Sequence, residues 1–369
     1  MHNLIFRTLN MMLGIGCALI YMALIPNASF ASIMIGLMFG MIVCNVFHVI
    51  MHEVGHLVFG LISGYEFLSF RVGSHVWLNI NGKLQHKRFS LAGTAGQCLM
   101  VPPMLQDGKM PFKLYLWGGC ITNTVIALIA VGCSLFTQNV YIDLVCYLLA
   151  YVGFIYTLQN GLPLKLDMMS NDGFTIDSIA ENDAALHAYW LQMMVTAQLA
   201  RGVALKDVPE EWFIEYPYDQ LQNQMVAAAI YFKIIRMMSK REFDDVEYEI
   251  ENALQRNVGF VGVHKYMLRC ELVYCRLLKG YNVDSYMTPD FKQFLQMMRN
   301  NVTVMRTQYV LNYKNKELAQ RYLQMFNSMA KLHPYTVEAE DERELIRLFD
   351  ESMKQKEVEE LEDADRDND

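Results

Sequence analysis

Charge is scarce in the first half of this chain, and that scarcity argues against a water-soluble body there. Residues 1–170 hold 8 Lys/Arg and 5 Asp/Glu, whereas residues 171–369 hold 23 and 34. A slightly basic, apolar half with a balance of +3 therefore precedes a charge-rich half with a balance of −11. This split reads as a membrane body followed by a water-soluble domain. Paired cysteines are also missing. None of the eight forms a C-x-x-C, so neither a thiolate zinc site nor a disulfide framework is indicated, and the thiols read as small buried hydrophobes. No basic cluster exists beyond His86-Lys87-Arg88, which together with the net charge of −8 argues against nucleic acid as a partner.

Apolar length is what the first half has in quantity. A helix needs about 20 apolar residues to cross a hydrocarbon core. Four runs meet or approach this, at about 9–25, 32–61, 114–136 and 140–158. Between the second and third, Phe67, Phe70, Val72, Val76, Trp77 and Ile80 are strand formers and Asn81-Gly82 is a hairpin signal, so 65–103 is expected as β-hairpins on the membrane face. The connections near 26–29 and 137–139 carry no Lys or Arg, whereas Arg71, Lys83, Lys87, Arg88, Lys109 and Lys113 fall in the central loop. The positive-inside rule then places that loop, the N-terminus and everything after the fourth span in the cytoplasm.

From about residue 175 the pattern is helical. Apolar faces recur in pairs roughly every 35–40 residues, which suggests an α-solenoid resembling tetratricopeptide repeats and offering a surface for a protein partner. The acidic end, 354–369, reads as a disordered tail. The fold expected is a membrane α-helical bundle of about four spans with membrane-face β-hairpins, within 1–174. An all-α soluble domain follows at 175–353. The 26 methionines serve packing in both parts.

Chemistry concentrates in His52-Glu53-Val54-Gly55-His56. Residues four apart share a helix face, so both imidazoles can reach one ion, and Glu53 on the adjacent angle can approach a water without ligating. Idle polar residues in such an apolar run would cost a few kcal/mol each. His48, one turn earlier, reads as a helix–helix hydrogen bond. A catalytic zinc needs a third protein ligand and an open position. The soluble arrangements that supply one are absent, since Phe59 and Ile62 stand where an extended motif needs Gly and His. The third ligand must come from elsewhere. The end of the fourth span offers Asn160, a helix-breaking Pro163, and Asp172 followed by Gly173, read as a flexible residue permitting a sharp turn.

Taken together, His52-Glu53-x-x-His56 in one span and Asn160-x-x-Pro163 with a later Asp-Gly in another resemble the site-2 protease family of intramembrane metalloproteases. Gly118-Gly119-x-x-x-Asn123 is similar to the small-residue and Asn pattern of that family's central helix. The resemblance covers about 32–175. It implies one Zn2+ per chain held by two His and one Asp, Glu53 as catalytic base, and Asn160, Pro163 and Asn123 supporting substrate or loop. The family's usual spacing puts the Asp at Met168, bracketed by Asp167 and Asp172. Asp172 is preferred because Gly173 follows, and Asp167 is the alternative. The function expected is a zinc endopeptidase acting on membrane-embedded or membrane-associated proteins or peptides. The alternative is a catalytically silent membrane scaffold that binds partners through its helical domain.

Overall fold

The computed structural model describes residues 2–80, 82–88, 95–165 and 170–366. The chain divides into two compact units, one of residues 1–79 and 93–193, the other of residues 80–92 and 194–369. The tip of the hairpin region thus belongs with the helical unit, and the division falls near residue 193 where the sequence suggested 174.

In the first unit, α1 (His2–Leu24) and α2 (Phe30–Ile62) lead into strands β1 (Glu66–Val72) and β2 (His75–Ile80). β3 (Lys83–Arg88) falls in the second unit; after it come β4 (Gly96–Val101), α3 (Lys113–Ser134), α4 (Val140–Gly161), α5 (Asp172–Ile179) and α6 (Asp183–Ala200), within which the division falls. Among the described residues, α1 to α4 are the four helices long and apolar enough to cross a membrane. Ser29 caps α2 by accepting from Ser32 N, and Asn139 caps α4 by accepting from Tyr141 N and Ile142 N. Phe30, Met34, Ile35, Met38, Phe39 and Ile42 of α2 are exposed apolar side chains, as a lipid-facing helix requires. The buried residues of α2 begin only at Cys44 and are mostly polar or small. With 33 residues, α2 is about 50 Å long. Its first half is therefore apolar on nearly every side, and its second half carries the chemistry inward.

α4 packs on α1, α2 and α3, and α2 also packs along α3. Gly118 and Gly55 make the α2–α3 contact possible: a Cβ on Gly55 would meet Gly118 O at 2.3 Å. The sheet has the order β3-β2-β1-β4, antiparallel where β1 meets β2 and β4, with a bulge between Phe67 and Ser69. β4 packs on α2, which brings a strand alongside the histidine-bearing turns. Gly82 has φ 79°, as a tight hairpin turn requires, while its expected companion Asn81 lies outside the described residues.

The second unit holds α7 (Gln224–Lys240), α8 (Phe243–Gln255), α9 (Gly262–Lys279), α10 (Pro289–Met297), α11 (Val302–Leu311), α12 (Lys316–Leu332) and α13 (Thr336–Arg366). α7 packs on α9, α9 on α11 and α11 on α13, so alternate helices stack on one another. Its core encloses a charge cluster: fully buried Arg306 lies 2.7 Å from Glu271 and 2.8 Å from Glu342, over the Tyr274 ring. The acidic end differs from the expected tail. α13 continues to Arg366, with Arg347 bonded to Glu344 and Glu351 and Gln355 to Glu359. Glu, Lys and Gln are good helix formers, and such i, i+4 pairs add to the helix.

Candidate metal centre

Helical spacing on α2 puts the His52 and His56 rings 4.7 Å apart, with their Nε2 atoms 3.1 Å from each other. Asp172, the first residue of α5, lies across from both, its Oδ2 3.0 Å from His52 Nε2 and 3.3 Å from His56 Nε2. The ligand atoms of the three residues all lie within 4.8 Å of one another, so the cluster could hold a metal ion. The donor set fits one closely. A tetrahedral ion with bonds of about 2.0 Å has ligand–ligand edges of about 3.3 Å, and the observed edges are 3.0, 3.1 and 3.3 Å. Asp172 Oδ2, facing both Nε2 atoms, is the oxygen placed to ligate. Asp167, the alternative ligand, lies outside the described residues.

Comparison with known proteins gives no matching family model, curated protein or solved structure.

What brings Asp172 to α2, 120 residues away, is Asn171. Its Oδ1 caps α5 by accepting from Phe174 N, and also accepts from Leu164 N. Its Nδ2 donates to Gln159 O and Leu162 O, both at 2.6 Å. One carboxamide thus ties the start of α5 to the end of α4. Gly173 has a different role from the flexible turn expected of it. It sits inside α5 without a positive φ, and a Cβ there would meet Gly161 O at 2.3 Å. Glycine is needed for close approach, not for turning.

Each imidazole is also held from behind. His56 Nδ1 lies 2.9 Å from Tyr115 O. A carbonyl only accepts, so His56 carries a proton on Nδ1 and turns Nε2 to the site. His52 Nδ1 lies 3.4 Å from Asn123 Nδ2. Gly119 makes room for the His52 ring, since a Cβ there would lie 2.3 Å from His52 Cε1.

Glu53 stands apart from the triad, buried against β4. The Cys98 backbone N–H donates to its carboxylate, and a Cβ on Gly96 would lie 2.7 Å from its Oε1. Buried Arg71 donates to Gly73 O at 2.9 Å and Gly96 O at 3.2 Å, tying β4 beside Glu53. A cavity of about 500 Å³ opens over the triad and Glu53, walled by the β4 edge, Tyr156 and Tyr189.

Of the expected substrate contacts, Asn160 lines this cavity but donates its Nδ2 to Tyr156 O within α4. Pro163 lies just after α4, is exposed, and acts as a stop. Gln159 was not marked by its sequence. It is buried, lines the same cavity, and its Nε2 has no hydrogen-bond partner among the described residues. A buried donor left unpaired beside a cavity is a group able to take an acceptor from what enters it. Set between Leu158 and Asn160 at the end of α4, it carried no motif that signalled this. Asn171 could have been found as an Asn immediately before Asp-Gly, a helix-cap pattern.

Proposed function

We propose that this protein is a membrane-embedded zinc endopeptidase of the kind the site-2 protease resemblance implies, cutting membrane-associated proteins or peptides. The observation that carries the reading is a His-His-carboxylate cluster of tetrahedral size with a second acid, Glu53, beside it and outside the ligand set. A site that served only to brace the fold would have no use for that acid.

A zinc ion, when bound, supplies a Lewis acid that lowers the pKa of a water and polarises a carbonyl. His52, His56 and Asp172 would hold it. Glu53, oriented by the Cys98 N–H, accepts a proton from the attacking water and returns it to the nitrogen of the leaving amine. Gln159 Nε2 donates to a carbonyl of the bound substrate. The walls of α3, α4 and β4 exclude bulk water, which strengthens each of these interactions.

The charge distribution supports a cytoplasmic site. His52 comes about 33 Å along α2 from Phe30, against a hydrocarbon core of about 30 Å. Asp172 follows the end of α4, so both motifs fall at one membrane face, the face of the Lys/Arg-bearing loop. The N-terminus and the helical unit belong to the same side, where stacked helices offer a surface for a protein partner.

The test compares newly formed N-termini of membrane proteins in cells expressing wild type or Glu53→Gln. Glu53→Gln leaves the three ligands in place. Fragments present with wild type and absent with the variant support the peptidase. Identical fragment sets at equal metal content favour a silent scaffold.

A further inference from the structure

We propose that His48 and Asn123 form a hydrogen-bond relay that fixes His52 in its metal-binding tautomer, making both positioning residues of the centre. The inference rests on the metal reading of the site, not on proteolysis.

The relay begins at Leu149 in α4. Its carbonyl lies 2.9 Å from His48 Nε2 and can only accept, so His48 Nε2 carries a proton. A neutral His48 then has a lone pair at Nδ1, and this atom lies 3.1 Å from the Asn123 carboxamide. Only the NH2 end of that carboxamide can satisfy the lone pair. Placing it there, by a half-turn of the amide from the orientation with Oδ1 toward His48, aims Oδ1 at His52 Nδ1. An amide oxygen accepts, so His52 must carry its proton on Nδ1. Its Nε2 is then a lone pair, facing Asp172 and beside His56 Nε2.

The opposite amide orientation requires both His48 nitrogens to donate, a cation in a fully buried position of an apolar run. It also makes His52 Nδ1 an acceptor and puts a proton on Nε2, where a metal would bind. Burial thus selects the orientation that prepares the site.

Three helices contribute to the relay, and two glycines make space for its rings. A Cβ on Gly153 would lie 2.6 Å from His48 Cε1, and one on Gly119 would lie 2.3 Å from His52 Cε1. His48 and Asn123 are both fully buried, behind the residues that line the cavity and not among them. Neither touches bound substrate, so their effect runs through His52.

The test is zinc affinity of the full-length chain in detergent, measured by competition with a chromophoric chelator, with thermal melting alongside. Asn123→Leu and His48→Phe should each weaken zinc by about 10- to 100-fold. Asn123→Asp should stay within a few-fold of wild type, because a carboxylate still accepts from His52 Nδ1–H. A bracing role alone would not separate Leu from Asp in this way. If Asn123→Leu fails to fold, the contrast between Asn123→Asp and His48→Phe carries the test. Wild-type affinity in Asn123→Leu or His48→Phe, with zinc lost in His52→Ala, overturns the relay alone. A wild type that binds no zinc overturns the metal reading and the relay with it.

Discussion

Replacing Gly119 by Ala gives a sharp test of how tightly the centre is built. A Cβ at this position would lie 2.3 Å from Cε1, 2.4 Å from Nδ1 and 2.6 Å from Nε2 of His52. An ordinary contact begins at 3.4 Å, so the ring or α3 must withdraw by about 1 Å. The ring has little freedom, being held by Asn123 on one side and Asp172 on the other. Metal–ligand distances tolerate only about 0.2 Å, so a 1 Å displacement removes His52 from the ligand set. Loss of a supporting residue typically weakens a site by about 10- to 100-fold, and loss of a ligand should reach at least the upper end of that range. Gly132→Ala is the control. It lies in the same helix with nothing within 4 Å of its added carbon, and should leave zinc affinity unchanged. The assay is chelator competition with helix content followed by circular dichroism. A folded Gly119→Ala that binds zinc as tightly as wild type would refute the packing argument.

Three further outcomes follow from the same structure. Asn171→Ala removes a helix cap and two bonds to α4, together worth roughly 2–3 kcal/mol; amide exchange in α5 should quicken by about 30- to 150-fold, and zinc affinity should fall with it. Gln159→Leu leaves the ligands intact and removes the unpaired donor, so zinc content should hold while kcat/KM on any peptide substrate drops by about tenfold or more; unchanged kinetics would remove Gln159 from the site. In the helical unit, burial pushes Glu342 up to about 8 despite Arg306 beside it, and Glu271 adds to the push. A raised carboxyl gives stability that is complete below its ordinary value of about 4.5 and is lost as pH rises through 8. The denaturant midpoint of α9 and α11, followed by hydrogen exchange in the intact chain, should therefore be higher at pH 6 than at pH 9; the reverse order would contradict the assignment.

The fold was legible where one physical rule dominated. Long apolar runs gave α2 to α4 within about three residues, and α1 apart from its start at His2, seven residues before the expected 9, because apolar length is written in composition. Alternating strand formers gave β1 and β2. The apolar faces after residue 175 gave a helical region, although α13 runs through residues that charge alone marked as a tail. The candidate site was legible only where its parts were local. His52, Glu53 and His56 share one turn, so helical spacing speaks directly to their geometry. Asp172 comes from 120 residues away, and the usual motif spacing fell on Met168, so its proximity to the histidines depends on Asn171 knotting α5 to α4. Gly119, Gly153 and Gly173 matter for atoms brought against them by other helices, which no single stretch of sequence displays. Gln159 differs from a surface glutamine only in what surrounds it.

The central claim is that His52, His56 and Asp172 hold zinc. Zinc-edge X-ray absorption on the purified full-length chain tests it most directly. The account predicts about one zinc per chain with nitrogen and oxygen neighbours near 2.0 Å, imidazole outer-shell scattering from two rings, and loss of the ion in Asp172→Ala. Protein free of zinc above background, or sulfur neighbours near 2.3 Å, would contradict it.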